Sequence, residues 1–280
     1  MDILLLQIGN GLIIGAVYAL VALGLNVIWS ITDVPDFSQG SIFVVSAYIS
    51  YFAVTLAGLP YVLALALGMC VGASMACIIE RFLYRRWRGA GRVQLLCAIA
   101  LFFLFSNSVN AIWTSKAKMF PAYLEGAVFG FSFQRIVVLL VAALLFVLVY
   151  LFIMKTKIGK AIRAASQNRD MAQVLGINID TVYSVVFMLG GALTGAAAVL
   201  VSPLYALFPT MGDLPLLKAL VVVILGGFGT VGGVLICGLG LGVLESLGAV
   251  YVSSAYQHGY AFLILILVLS FLPKGLFGRM

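Results

Sequence analysis

The stretch ILLLQIGNGLIIGAVYALVALGLNVIW, Ile3 to Trp29, contains no lysine, arginine, aspartate or glutamate. As a helix it is long enough to cross a hydrocarbon core about 30 Å thick, which takes about 20 apolar residues. It is too long for the core of a signal peptide and no basic residue precedes it, so it reads as a retained membrane helix. Further apolar blocks follow at 41–57, 61–80, 93–113, 136–154, 183–202, 218–250 and 259–272. The composition agrees: 64% of residues are hydrophobic and 9% charged, whereas a soluble domain carries about 25% charged residues. The fold expected is all-α, a polytopic transmembrane bundle of about eight to nine spans with some helices broken. No stretch between the blocks is long enough for a separate globular unit, so residues 1–280 form one domain.

The net charge of +7 does not indicate nucleic-acid binding, because the cations sit in short connectors between apolar blocks. Arg81, Arg85, Arg86, Arg88 and Arg92 share one connector; Lys155, Lys157, Lys160, Arg163 and Arg169 share another; Lys274 and Arg279 follow the last block. Those are 12 of the 16 basic residues, and the side that holds them is expected to be cytoplasmic. Lys116, Lys118, Arg135 and Lys218 flank 114–135 and 203–217, which are assigned to the opposite side. Alternation then puts the N-terminus, with Asp2, outside and the C-terminus inside. That requires an odd number of crossings, nine if 218–250 crosses twice. Cys70, Cys77, Cys97 and Cys237 lie in apolar blocks without the spacing of a disulfide framework or zinc site.

Three segments break the apolar pattern. The first is the basic connector around 155–182. Asn168 or Asp170 caps a short helix there, Gly176 suits its left-handed end, and Met171, Val174 and Leu175 share one face. A helix this short is marginal alone, since isolated helices need about 12–15 residues. Its apolar stripe therefore docks, either on this chain's own helix ends or on another subunit. The second segment, Gly226-Gly227-Phe228-Gly229-Thr230-Val231-Gly232-Gly233, has five glycines in eight residues. Small residues permit close helix packing, but five exceed the need of one contact. A discontinuous helix whose amides line a substrate path is the preferred reading. The third, Asp33-Val34-Pro35-Asp36-Phe37-Ser38-Gln39-Gly40, is either an ordinary loop or a break inside the membrane boundary.

Glu245 is the only acid well inside an apolar block. A charge at a helix centre costs about 2.5–3.5 kcal/mol on insertion scales, so Glu245 should face the interior, be protonated or pair with a polar neighbour such as Ser246. Its role, site residue or structural anchor, stays open at this level. His258, the only histidine, reads as interfacial. The sequence contains no G-x-x-x-x-G-K-[ST] phosphate loop.

The same segments carry a resemblance. Gly15-Ala16-Val17-Tyr18-Ala19-Leu20, Gly159-Lys160-Ala161-Ile162-Arg163-Ala164 through Ala172, Leu175 and Gly176, the glycine cluster with Leu241-Gly242-Val243-Leu244-Glu245-Ser246, and Pro273-Lys274-Gly275-Leu276-Phe277-Gly278 occur in order. Together they resemble the membrane permease subunits of bacterial branched-chain amino acid ABC importers, the shorter of the two paralogues. The resemblance implies an inner-membrane subunit that is not an enzyme. ATP and magnesium would be used by two separate ATP-binding cassette subunits. The other partners implied are a paralogous permease, a periplasmic substrate-binding protein and membrane lipid, with no nucleic acid. It also implies that Met171, Ala172, Val174 and Leu175 contact the ATPase, with Arg163, Arg169, Asp170 and Gly176 shaping the coupling helix. The substrate path expected runs by Asp36, Ser38, Gln39, Gly40, Ser41, Gly226, Gly227, Gly229, Thr230, Gly232, Gly233 and Glu245. One departure stands out: an Asn-Phe-Ala-His-Gly-like run of the family is here Asp36-Phe37-Ser38-Gln39-Gly40. That substitution changes charge and hydrogen bonding and keeps other amino acids, amides or urea open as substrates.

Two other classes compete. A proton- or sodium-coupled transporter usually carries several ionisable residues at mid-membrane, where the sequence offers only Glu245. A membrane-embedded enzyme needs a catalytic constellation, and no His-rich, paired-carboxylate or Ser/His/Asp set occurs at membrane depth.

Overall fold

The computed structural model describes residues 3–114, 116–121, 127–128, 131–272 and 275–277. Asp2, Pro273, Lys274, Gly278 and Arg279, used in the sequence reading, lie outside the described residues. The chain forms helices α1 (Ile3–Thr32), α2 (Ser38–Ala57), α3 (Tyr61–Ile79), α4 (Gly91–Trp113), α5 (Phe133–Lys155) and α6 (Lys157–Gln167). It continues with α7 (Arg169–Val174), α8 (Ile179–Val201), α9 (Asp213–Gly226), α10 (Val231–Tyr251) and α11 (Gln257–Phe271). A π turn, Glu80–Tyr84, and a 3-10 turn, Arg85–Trp87, prolong α3. The only strands among the described residues are a small ribbon pairing Ala127–Val128 with Phe131–Ser132.

Among the described residues, eight helices are long and apolar enough to cross a membrane. Helix α9 is not among them: at 14 residues it extends about 21 Å, short of a hydrocarbon core of about 30 Å. The irregular segment 202–212 leads into it, and Gly212 lies against the Gly40 carbonyl. Contacts sort the connectors into two ends. At one, Arg85 and Arg88 pair with Asp180, Arg169 reaches the Ile31 carbonyl, and Leu276 N–H bonds to Leu225 O. At the other, Gln7 meets Ser246, Arg135 meets Asn10, and Lys118 bridges to Leu207. The first described residues and the last therefore lie at opposite ends, and the described basic connectors share one.

Helix α1 runs through the middle, flanked by α8, α9 and α10, with α3 and α2 packed on α8. Lipid offers no hydrophobic drive for helix association, so close approach and van der Waals contact must supply it. The α3–α8 contact shows how: a Cβ on Gly72 would stand 2.1 Å from the Gly191 carbonyl oxygen. Helices α4, α5 and α11 lie outside this centre and expose leucines such as Leu144, Leu148, Leu263 and Leu267. Of the cysteines in the apolar blocks, Cys70 is exposed and Cys237 is buried.

Candidate functional site

The expected site residues fall into four places rather than one. The first is the start of α2. Asp36 is buried and accepts hydrogen bonds from Ser38 N (3.0 Å), Gln39 Nε2 (3.2 Å) and Tyr84 Oη (2.7 Å). Thr194 Oγ1 in α8 donates to Gln39 Oε1, and Ser41 Oγ donates to the Phe102 carbonyl. The chain turns back at Asp33, whose φ of 57° is left-handed, and α2 begins inside the bundle. The turn itself stays at the end that holds the basic connectors, with Asp33 exposed and paired to Arg169, while the first residues of α2 are buried. Ser38, Gln39, Gly40 and Ser41 are all fully buried within the chain. Gly40 is closed off by the Phe102 ring and Leu216.

The second place is the glycine cluster, which does separate two helices. Gly227 at φ 81° and Gly229 at φ 75° turn the chain in conformations that side chains disfavour. Thr230 Oγ1 donates back to the Gly226 carbonyl, with that of Gly227 at 2.8 Å. Asn26 of α1 accepts from Gly229 N at 2.9 Å. The helix break and close glycine packing both occur here. Gly233 packs on Gly226 so closely that an added Cβ would lie 2.1 Å from its carbonyl oxygen. Phe228, Gly229 and Gly232 face outward. The cluster sits at the basic end, where Phe228 lies beside Trp29 of α1.

Glu245 is elsewhere, 14 residues into α10, or about 21 Å along its axis. Its partner was not legible in the sequence: Lys218 Nζ of α9 lies 2.7 Å from Glu245 Oε2 and 2.7 Å from Tyr18 Oη. Lys218 is 1% exposed, which corrects its assignment to an outer connector. Ser246, the neighbour expected to pair with Glu245, instead lies 2.8 Å from the Gln7 carbonyl oxygen and 2.8 Å from Gln7 Oε1. A cation and an anion that would each be costly in lipid neutralise one another, with the Tyr18 hydroxyl as a third member.

The fourth place is the connector after α5. Asn168 Oδ1 caps α7 by accepting from Met171 N at 2.9 Å. Gly176, φ 83°, ends it, and Ile177 N–H returns to the Ala172 carbonyl. Met171, Val174 and Leu175 are 62%, 81% and 80% exposed. Their stripe faces away from the chain, so docking on its own helix ends is excluded. Ala172, expected to join that contact, is 2% exposed and packs inward. Arg169 fixes the segment to the end of α1 through the Ile31 carbonyl at 2.8 Å and Asp33 at 3.2 Å. Arg163 lies 3.1 Å from the Met154 sulfur, and Asp170 is exposed.

A family model described as the permease component of the branched-chain amino acid transport system matches residues 7–270. The high-affinity branched-chain amino acid transport system permease protein BraD of Pseudomonas aeruginosa is 34% identical over 292 residues, covering 98% of this chain and 95% of that protein. The corresponding LivH of Escherichia coli strain K12 is 31% identical over 296 residues, covering 98% and 95%. The ribose import permease protein RbsC of Escherichia coli strain K12 is 28% identical over 259 residues, covering 86% and 78%. No solved structure matches.

Proposed function

This chain belongs to the branched-chain amino acid transport permease family, and on that footing we propose that it carries branched-chain amino acids into a bacterial cell as half of an ATP-driven pore. It is a membrane translocation subunit and not an enzyme. On this reading a paralogous permease completes the pore, two ATP-binding cassette subunits hydrolyse magnesium–ATP beneath it, and a periplasmic receptor delivers substrate. The basic end faces the cytoplasm, as the bias of Arg and Lys toward that end favours. The first described residues of α1 then lie toward the periplasm.

The observation that carries the motor side is the outward stripe of Met171, Val174 and Leu175. Three apolar side chains in an otherwise charged connector are costly in water and suit an apolar groove. Arg169 and buried Ala172 hold α7 to α1 and α8, so a push on the stripe reaches the spans directly. Arg163, Asp170 and Gly176 set its orientation and its end. On the substrate side, the outward face at Phe228, Gly229 and Gly232 is assigned to the interface with the second permease. Gly226, Gly227, Thr230 and Gly233 support that face from within. Asp36, Ser38, Gln39, Gly40 and Ser41 serve as a rigid footing for α2 beside the path. An ion-coupled mechanism gains little from the extra buried charges, because Lys218 and Glu245 close on each other and Asp36 already accepts three hydrogen bonds.

The test is reconstitution with both permeases, the ATPases and the receptor. Leucine uptake should require ATP. Leu175→Glu should insert and assemble normally, because the side chain is exposed, yet hydrolyse ATP without uptake. Full uptake by that variant would remove the coupling assignment.

A further inference from the structure

At the end opposite the basic connectors, a cavity of about 190 Å³ opens between α1, α5, α10 and the segment after α8. Its size suits one amino acid rather than a drug-sized molecule, whose pockets start near about 300 Å³. The wall is unusually polar for a membrane bundle. Gln7 and Asn10 from α1, Ser246 from α10, Gln257 from α11 and Tyr205 face it, and Arg135 of α5 contributes the charge. Ile13, Ile14 and Leu204 make the apolar side.

None of the site expectations drawn from the sequence touches this cavity. Gln7 and Asn10 interrupt the apolar face of α1, where polar groups line a polar cavity or pair with one another; here Gln7 Oε1 faces Ser246 and both residues line the cavity. Arg135 donates one Nη1–H to Asn10 Oδ1. Among the described residues it forms no ion pair. A guanidinium has five N–H donors in a planar fork that matches a carboxylate, so most of its capacity remains on offer. The cavity thus presents a carboxylate-sized cationic fork next to an aliphatic wall.

We propose that this cavity binds the carboxylate of a small branched aliphatic acid through Arg135, with its tail against Ile13, Ile14 and Leu204. Resting on the transport function proposed above, this ligand is the imported amino acid on its way from the receptor. Tyr205, Ser246 and Gln257 offer neutral oxygens to its ammonium group. Ser246 in the wall is the residue after Glu245 of the buried charge cluster.

The experiment uses the assembled transporter with Ala249→Cys, a wall position, and follows its maleimide labelling by peptide mapping. Saturating leucine should slow labelling about tenfold. Isovalerate, which keeps the carboxylate, should do the same, and leucinamide should not. Arg135→Gln should abolish this protection, and Arg135→Lys should keep part of it. Phenylglyoxal modification of Arg135 in the unsubstituted complex, slowed by leucine and not by leucinamide, gives the same result without a cysteine. Unchanged rates in both assays with leucine and isovalerate overturn the inference. So does protection by a short-chain phosphatidylglycerol alone, which would make the cavity a lipid headgroup site. Leucine uptake by the unsubstituted complex is measured alongside. If uptake is present and protection absent, only the cavity assignment fails; if uptake is absent and isovalerate still protects, the transport reading fails and the carboxylate site stands.

Discussion

The two breaks in the apolar chain are held by opposite means. At residues 33–37 a carboxylate organises the turn: Asp36 gathers a backbone N–H, an amide and a phenol, and α2 starts from that knot. At 227–230 there is no charge at all. Glycines fold the backbone, Thr230 satisfies the last carbonyls of α9, and Asn26 catches the loop from α1. The difference follows from surroundings. The first break buries Asp36 and leads into a buried helix start, where groups without water need side-chain partners. The second exposes Phe228 and Gly229, so its outer groups are left to whatever covers that face. A polar knot makes a fixed point, while a glycine turn leaves backbone free to meet a neighbour.

Substitutions can break this contrast, and the effects should fall in order. Asp36→Ala strands three donors in the interior, each worth roughly 1–3 kcal/mol when left unpaired, so it should be the most damaging. Thermal unfolding of the detergent-solubilised protein should show the largest fall, or no folded protein should be recovered. Gly233→Ala comes next at about 2 kcal/mol, because its Cβ meets backbone that cannot give way. A melting temperature equal to that of the parent would mean the α9–α10 turn is looser than described. Asn26→Ala should cost about 1 kcal/mol by freeing Gly229 N, and should raise proteolysis at the 227–230 turn. Gly232→Ala has open space around the added methyl and should be neutral or stabilise by about 0.5–1 kcal/mol. If it nevertheless lowers uptake in the assembled transporter, that face is an interface.

The helical architecture was legible because membrane spans announce themselves through length and apolarity alone. Both breaks were also visible, as Pro35 with Asp36 and as the glycine run. What lay beyond reach was pairing across the fold. Lys218 was read as a connector residue because a single cation at the edge of an apolar block looks like a topology signal. Its true partner, Glu245, is 27 residues away, and nothing local marks the pair. Tyr84 and Thr194 were missed for the same reason, since neither has a distinctive neighbour in sequence. Gln7, Asn10 and Arg135 were each visible as polar residues, but only packing brings α1 and α5 together around a common space. The exposed stripe of α7 was the reverse case: periodicity revealed it, yet which way it faced required the bundle.

The Lys218–Glu245 contact also constrains how the chain is made. Ribosomes deliver Lys218 first, on a helix too short to qualify as a membrane segment and carrying an unmatched cation. Its compensating acid emerges 27 residues later. Stable partitioning into lipid is therefore expected to wait until both helices can leave the translocon as a hairpin, a delay that glycosylation mapping of nascent chains stopped before and after residue 245 would expose.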